Sequence, residues 1–375
     1  MCAMITPRVS DIVGITGKIA PNDLAESWDN VGLQLGDPSR QVSRIMVALD
    51  PGSPAVEAAV EGRCQLLITH HPFIFTPLKK ISATDETGRL AILALKNDLA
   101  IISMHTNYDI AQGGVNDLLA QRLGVEGVLP LRVTGSEEFL KMALFVPKGF
   151  EEKLLDALAP FMAPLGNYRD CSFQGDGVGR FTPVPGANPF VGTVGVRHLE
   201  MESRLEFLLP KERLCAALAV LKGAHPYEEP AFDIYPVLNR GASRGLGRIG
   251  VLPEAATAGE FALAVKERLG AGGVRLVGEP GRRVKKVALC GGSGASLIHE
   301  AARKGADLLV TGDVKYHEAR EAEAMGLALL DAGHFASELP MVQGLTDALR
   351  RALEAKRFEA EVVAYQGERE PFSFW

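Results

Sequence analysis

The feature that most constrains this chain is an internal duplication whose two copies both end on side chains able to hold a metal. The first copy runs through the apolar stretch Ile45-Met46-Val47-Ala48-Leu49-Asp50, a Pro/Gly turn and a helix around 56–60. A second apolar stretch then leads to Thr69-His70-His71. The second copy runs through Val284-Lys285-Lys286-Val287-Ala288-Leu289-Cys290, the turn Gly291-Gly292-Ser293-Gly294, a helix, and Leu308-Leu309-Val310-Thr311-Gly312-Asp313. Downstream, Leu99-Ala100-Ile101-Ile102 precedes His105-Thr106-Asn107-Tyr108-Asp109, and Leu327-Ala328-Leu329-Leu330 precedes His334 and Glu338. His-x-x-x-Asp in one copy answers His-x-x-x-Glu in the other. Strands alternating with helices predict α/β architecture: duplicated βαβ-type units in a mainly parallel sheet covered on both faces. Such sheets gather functional groups beyond the carboxyl ends of their strands. His70, His71, Asp109, His334 and Glu338 all fall there, which suggests one dinuclear site at the seam between the copies.

Taken singly, each of these residues has a plainer reading. Consecutive strand residues point to opposite faces, so His70 and His71 address two neighbouring ions only from a strand end, here broken by Pro72. Otherwise one is a buried histidine and the other a surface one. His334 and Glu338 share a face if a helix begins after Gly333, yet the same spacing describes a surface ion pair. Asp109 reads equally as a helix cap ahead of Gly113-Gly114 and a helix over 115–123. Together, five ligand-type residues at strand exits of repeated units favour metal. Imidazole and carboxylate without thiolate suit Zn²⁺, Mn²⁺ or Fe²⁺ and do not choose among them.

Three features carry less. The 291–294 turn could present backbone N–H groups to a phosphate, but it matches no phosphate-loop pattern and reads more simply as a tight turn. Asp313, Lys315, Tyr316 and His317 either position substrate or start a helix with a salt bridge. His225-Pro226-Tyr227-Glu228-Glu229 is either a further ligand contact or a structured loop.

At 375 residues, with 47% hydrophobic and 23% charged side chains, the chain suits two domains with sizeable cores. Residues 137–239 break the repeat pattern and predict strand (139–146), helix (151–162), strand (169–174), strand (204–209), helix (211–221), strand (231–237). That β-α-β-β-α-β order is ferredoxin-like. The Gly/Pro-rich 175–192 fits a loop inside this insert, and 241–247 a flexible return. The discontinuous main domain is therefore 1–136 plus 240–375, with the insert at 137–239. A net charge of −6 gives no general attraction to phosphodiester backbones, so nucleic acid is not a default partner. The five cysteines (Cys2, Cys64, Cys171, Cys215, Cys290) are scattered, and Cys64 and Cys290 lie in apolar stretches as reduced core residues. No membrane span is expected, and the chain reads as cytosolic.

Trp28-Asp29-Asn30-Val31-Gly32-Leu33, Thr69-His70-His71-Pro72, His105 to Asp109, Thr311-Gly312-Asp313 with Tyr316-His317-Glu318, and Gly333-His334 through Glu338 resemble the motif series of the NIF-three-like family. Its members are called GTP cyclohydrolase 1 type 2 homologs. The 225–235 segment resembles the PII- or CutA-like insert of the long bacterial members. The resemblance implies a toroidal homohexamer with two divalent ions per subunit. It implies that His70 and Asp109 hold one ion, that His71 and His334 hold the other, and that Glu338 bridges both. His105 then fits as a residue that orients a ligand or a bound water, and with Glu338 it is the candidate catalytic residue. The function implied is a metal-dependent hydrolase in which activated water attacks a nucleotide ring or a phosphoester. The alternative is a non-catalytic metal- or ligand-sensing hexamer; the residues leave turnover open.

Overall fold

The structure, a computed structural model, describes residues 5–375; Cys2 lies outside them. Along the chain come α1 (Val9–Ile19), β1 (Gly32–Leu35), β2 (Arg44–Ala48), α2 (Ser53–Glu61), β3 (Leu66–Thr69), α3 (Glu86–Lys96), β4 (Ala100–Ser103), α4 (Thr106–Ile110) and α5 (Val115–Leu123). Next are β5 (Glu126–Pro147), α6 (Glu151–Leu158), β6 (Ser172–Phe181), β7 (His198–Pro210), α7 (Leu214–Ala224) and β8 (Phe232–Thr257). Then follow α8 (Ala258–Leu269), β9 (Arg275–Val277), β10 (Arg283–Leu289), α9 (Ile298–Arg303), β11 (Leu308–Thr311) and α10 (Tyr316–Ala324). β12 (Ala328–Asp331), α11 (His334–Glu338), α12 (Pro340–Lys356) and β13 (Glu361–Ala364) complete it. One compact unit runs to Thr134 and resumes at Arg244; Gly135–Ser243 is the other, and β5 and β8 carry the chain out and back.

The first unit contains two mixed sheets where the repeat pattern predicts a mainly parallel one. In the order β1-β4-β3-β2-β13, the strands β13, β2, β3 and β4 are parallel and β1 is antiparallel. In the order β8-β10-β11-β12-β9, the strands β10, β11 and β12 are parallel, with β8 and β9 antiparallel at the flanks. Each copy of the duplication thus closes its own sheet. The matching triplets are Ile68 between Val47 and Ile102, and Val310 between Leu289 and Leu330.

Side-chain alternation explains why both faces are covered. Ile45 and Val47 join a core with Ile12, Ile15, Leu345 and Leu349 from α1 and α12, while Met46 and Ala48 join one with Val56 and Leu90 from α2 and α3. In the second sheet Leu308 and Val310 pack with Phe261 and Val265 of α8, and Leu309 packs with Ile298 and Ala301 of α9. Each fully buried aliphatic contributes roughly 1.5–3 kcal/mol, so the strand ends are held on rigid supports. Cys64 and Cys290 are free and buried in these cores.

The second unit orders its strands β6-β7-β5-β8, with α6 and α7 packed over one core that includes Met142, Leu154, Phe207 and Leu221. Two expectations change here. Residues 175–181 are strand, not loop, because Gly175, Gly177 and Gly179 pair with β7, and a side chain on Gly179 would collide with the Glu202 carboxylate. Residues 241–247 are strand rather than a flexible return: a Cβ on Gly241 would meet Glu137 and Phe139, and one on Gly245 would meet the Arg132 carbonyl. Gly179, Gly241 and Gly245 thus serve close approach, not freedom.

Candidate metal centre

Parallel strands end on one side, and both copies use that side. β3 stops at Thr69, so His70 and His71 leave the strand as Thr69 Oγ1 donates to the His71 carbonyl at 2.8 Å. Two residues past β4, His105 caps α4, which carries the half-buried Asp109. Past β12, Gly333 at φ 86° turns the chain into α11, which begins on His334 and ends on Glu338. Two glycines admit that helix. A Cβ on Gly292 (φ 59°) would strike Glu338 Oε1, and one on Gly312 would lie 2.6 Å from the His334 backbone nitrogen.

The imidazoles share one arrangement. His70 Nδ1 is 2.8 Å from the Met104 carbonyl, His71 Nδ1 2.7 Å from Asp50 Oδ1, His105 Nδ1 2.9 Å from Asp29 Oδ1 and His334 Nδ1 2.7 Å from Asp313 Oδ2. Each partner is an acceptor, so each Nδ1 donates, and each neutral ring is left with a bare Nε2. Those bare nitrogens face one another and the carboxylates. His71 Nε2 lies 3.3 Å from His334 Nε2 and 3.0 Å from Glu338 Oε2. His334 Nε2 is 3.1 Å from the same oxygen. His70 Nε2 is 3.6 Å from Glu338 Oε1 and 3.7 Å from Asp109 Oδ1. Ligand atoms of His71, His334 and Glu338 all lie within 4.8 Å of one another, as do those of His70, His71 and His105.

Acceptors aimed at acceptors need a cation between them. His70 Nε2, Asp109 Oδ1 and Glu338 Oε2 are buried without a hydrogen-bond partner, at a cost of roughly 1–3 kcal/mol each if left so. Donors bound at about 2.0–2.2 Å to one ion stand about 3.0–3.6 Å apart, close to the separations here. A His/Glu cluster able to bind a metal ion is therefore present, and its donor set fits a divalent cation. Protons are the other source of positive charge, and the titration behaviour reflects that demand. Burial opposes charge on His71, but Asp50 and Glu338, to which a protonated ring would donate from its two nitrogens, outweigh it and raise its pKa to about 10. The bond a protonated His334 would donate to Glu338 lifts it to about 9 against burial. Burial pushes Asp109 up to about 6, Glu338 adding and His70 opposing. Burial also presses Glu338 upward, yet His70, His334 and His71 hold it well below the usual glutamate range.

His70, His71, His334 and Glu338 come together, with Asp109 against His70. The helix-cap reading of Asp109 does not hold, since Gly114 caps α5 and Asp117 accepts the Gly113 N–H. Nor do the 291–294 amides cradle an anion. Gly291 donates to Asn116, Gly292 to Ser337 and Gly294 to Thr311, so the segment is a tight turn. Asp313 accepts from His334 Nδ1, while Lys315 and Glu318 form the capped start of α10. His225 is consumed structurally, bonded to the Phe145 carbonyl and the Tyr227 N–H.

Sequence reasoning passed over Asp50 and the role of Asp29. Asp29 has a fully buried side chain, and it also accepts from Thr106 N at 3.0 Å and Thr106 Oγ1 at 2.5 Å. Burial raises its carboxyl, but the His105 and Thr106 bonds prevail and hold it at about 2. Asp50 lies next to Leu49, whose N–H donates to Glu368 Oε1 at 2.5 Å. For Asp50 the usable signal was an acidic residue at a strand exit, level with His71 on the adjacent strand.

A family model described as Duf34/NIF3 (NGG1p interacting factor 3) matches residues 7–371. The GTP cyclohydrolase 1 type 2 homolog of Bacillus subtilis (strain 168) is 41% identical over 364 residues, covering 97% of this chain and 97% of its own. Its counterpart in Halalkalibacterium halodurans is 38% identical over 364 residues, covering 97% of this chain and 98% of its own. Among solved structures, a Bacillus cereus protein related to NIF3 superposes with a TM-score of 0.93 at 38% identity, over 99% of this chain and 100% of that one.

Proposed function

Because the chain belongs to the Duf34/NIF3 family, we propose that its histidine and carboxylate cluster is the dinuclear centre of a metal-dependent hydrolase. The substrate is a small molecule, attacked at a nucleotide ring or at a phosphoester. His70 and Asp109 would hold one ion, His71 and His334 the other, and Glu338 would bridge them; Zn²⁺, Mn²⁺ and Fe²⁺ suit the donors. The observation that supports this most is the set of four histidines, each fixed through Nδ1 and each presenting a bare Nε2 to the same space.

Divalent ions held by these residues would supply Lewis acidity and a water acidic enough to ionise near neutral pH. Glu338, wedged between His71 and His334, keeps its carboxylate charged and placed. Asp50 and Asp313 fix the tautomers of the rings they touch and make those rings better donors. His105, locked by Asp29, exposes Nε2 to the cluster and takes or gives a proton at that atom. Metal-loaded chain screened against nucleotides and phosphoesters should show turnover that His71→Ala and Glu338→Ala abolish. Turnover surviving in the Glu338 variant contradicts the two-ion mechanism, and none in the unaltered chain leaves the non-catalytic sensor.

The same family supports a homohexamer, which light scattering would test. It also supports a ferredoxin-like second unit of the PII/CutA kind, in keeping with the order β5-α6-β6-β7-α7-β8 and the strand order β6-β7-β5-β8. Among the described residues no helix is long and apolar enough to cross a membrane. A cytoplasmic site of action is proposed from the bacterial relatives.

A further inference from the structure

Beside the cluster, two large aromatic rings face solvent: Trp28 is 58% exposed and Phe75 53%. Their centroids stand 6.0 Å apart, edge to face at 62°. Trp28 meets His105 at 6.0 Å and 75°. His105 in turn lies 5.2 Å from the His70 ring and 5.8 Å from the His71 ring. An unbroken path of ring contacts therefore runs from the exposed pair to the histidines that face Glu338.

The local sequence builds this wall deliberately. Three consecutive side chains divide the work. Trp28 supplies the ring, Asp29 is buried and fixes His105, and Asn30 Nδ2 donates to the Ile74 carbonyl at 2.6 Å, next to Phe75. Gln34 closes the arrangement from both ends, donating to the Asn30 carbonyl at 2.6 Å and accepting from Ile74 N at 2.7 Å. Phe73 is buried in the core and anchors the second segment. The two segments are tied to each other, so the rings are held in place before any ligand arrives, which removes part of the ordering cost of binding.

We propose that Trp28 and Phe75 form a stacking wall for the planar heteroaromatic ring of the substrate, as in a nucleobase, and place that ring against His105 at the mouth of the metal cluster. This rests on the hydrolase reading above and narrows it to ring-bearing substrates. Exposed aromatic faces bind bases through dispersion and π-stacking, with little dependence on which base is offered. Contact with His105 then brings the ring within reach of the residue placed to move protons.

The chain has two tryptophans, so Trp375→Phe leaves Trp28 as sole reporter. In that full-length, metal-loaded chain, adenosine, guanosine, cytidine and uridine monophosphates should all quench Trp28 emission saturably. Ribose 5-phosphate, which lacks the ring, should not. By calorimetry, Trp28→Ala should weaken nucleotide binding by about tenfold or more and Phe75→Ala by less, both with metal content unchanged. Equal affinity for ribose 5-phosphate, or no response of Trp28 to any nucleotide, overturns the wall. So does a Trp28→Ala variant that loses assembly but not nucleotide affinity, since the ring would then cover a second copy. Nucleotide binding without turnover keeps the wall and removes the hydrolase; turnover with no preference for ring-bearing compounds does the reverse.

Discussion

The two copies of the duplication share a scaffold and divide the work of the site. Thr69 pairs with Ser103 and Thr311 with Asp331, so the strand exits are equivalent. Past Thr69 come His70 and His71; at the same two positions past Thr311 stand Gly312 and Asp313. The first copy spends its exit on two imidazoles. The second spends it on a glycine that admits α11 and an aspartate that orients His334. The downstream motifs diverge too. His105 lies two residues past β4 and His334 three past β12, with Gly333 as the added residue. That shift leaves His105 capping α4 against Asp29, while His334 begins α11 and faces Glu338. Duplication supplied two platforms, and one residue of phase separated ligand from neighbour.

If the division is right, substitutions at matched positions have unequal consequences. The largest belongs to Glu338, which alone among the described residues reaches His70, His71 and His334. Glu338→Ala should remove most bound metal, measured by elemental analysis of unchelated protein; full retention would break the account. Gly292→Ala comes next. A positive φ and a collision with Glu338 should cost about 1–3 kcal/mol in chemical denaturation and lower metal content. The glycine of the first copy's turn, Gly52, has negative φ and a nearest Cβ neighbour at 3.7 Å, so Gly52→Ala should cost under about 1 kcal/mol. Comparable losses would mean the two turns are not specialised.

Asp50→Asn and Asp313→Asn probe the next tier. Each should lower metal affinity by roughly 10–100-fold in competition titrations, without unfolding. Similar losses mean the copies orient their rings equally; a loss confined to one sharpens the asymmetry. The smallest effect is expected outside the cluster. His225→Gln removes bonds to Phe145 and Tyr227 and should cost about 1 kcal/mol of stability while metal content stays unchanged.

Much of this was legible in the sequence because ligands at strand exits depend on local pattern. His70, His71 and the α11 pair follow apolar runs whose ends are fixed by Pro72 and Gly333. Asp29 was not legible as the partner of His105, since 76 residues separate them and only the tertiary fold joins them. The division into two sheets was hidden for the same reason, as strand pairing between copies leaves no trace in apolar runs. Gly175, Gly177 and Gly179 read as loop because glycine breaks strands in general. In β6 at least Gly179 makes room for Glu202, a requirement invisible without the neighbouring strand.

The most direct test is an anomalous-scattering map from crystals of the chain prepared without chelators. Two peaks should appear, one ringed by His70, Asp109 and Glu338, the other by His71, His334 and Glu338. A single peak, a peak held by other residues, or none at full diffraction quality would contradict the dinuclear centre.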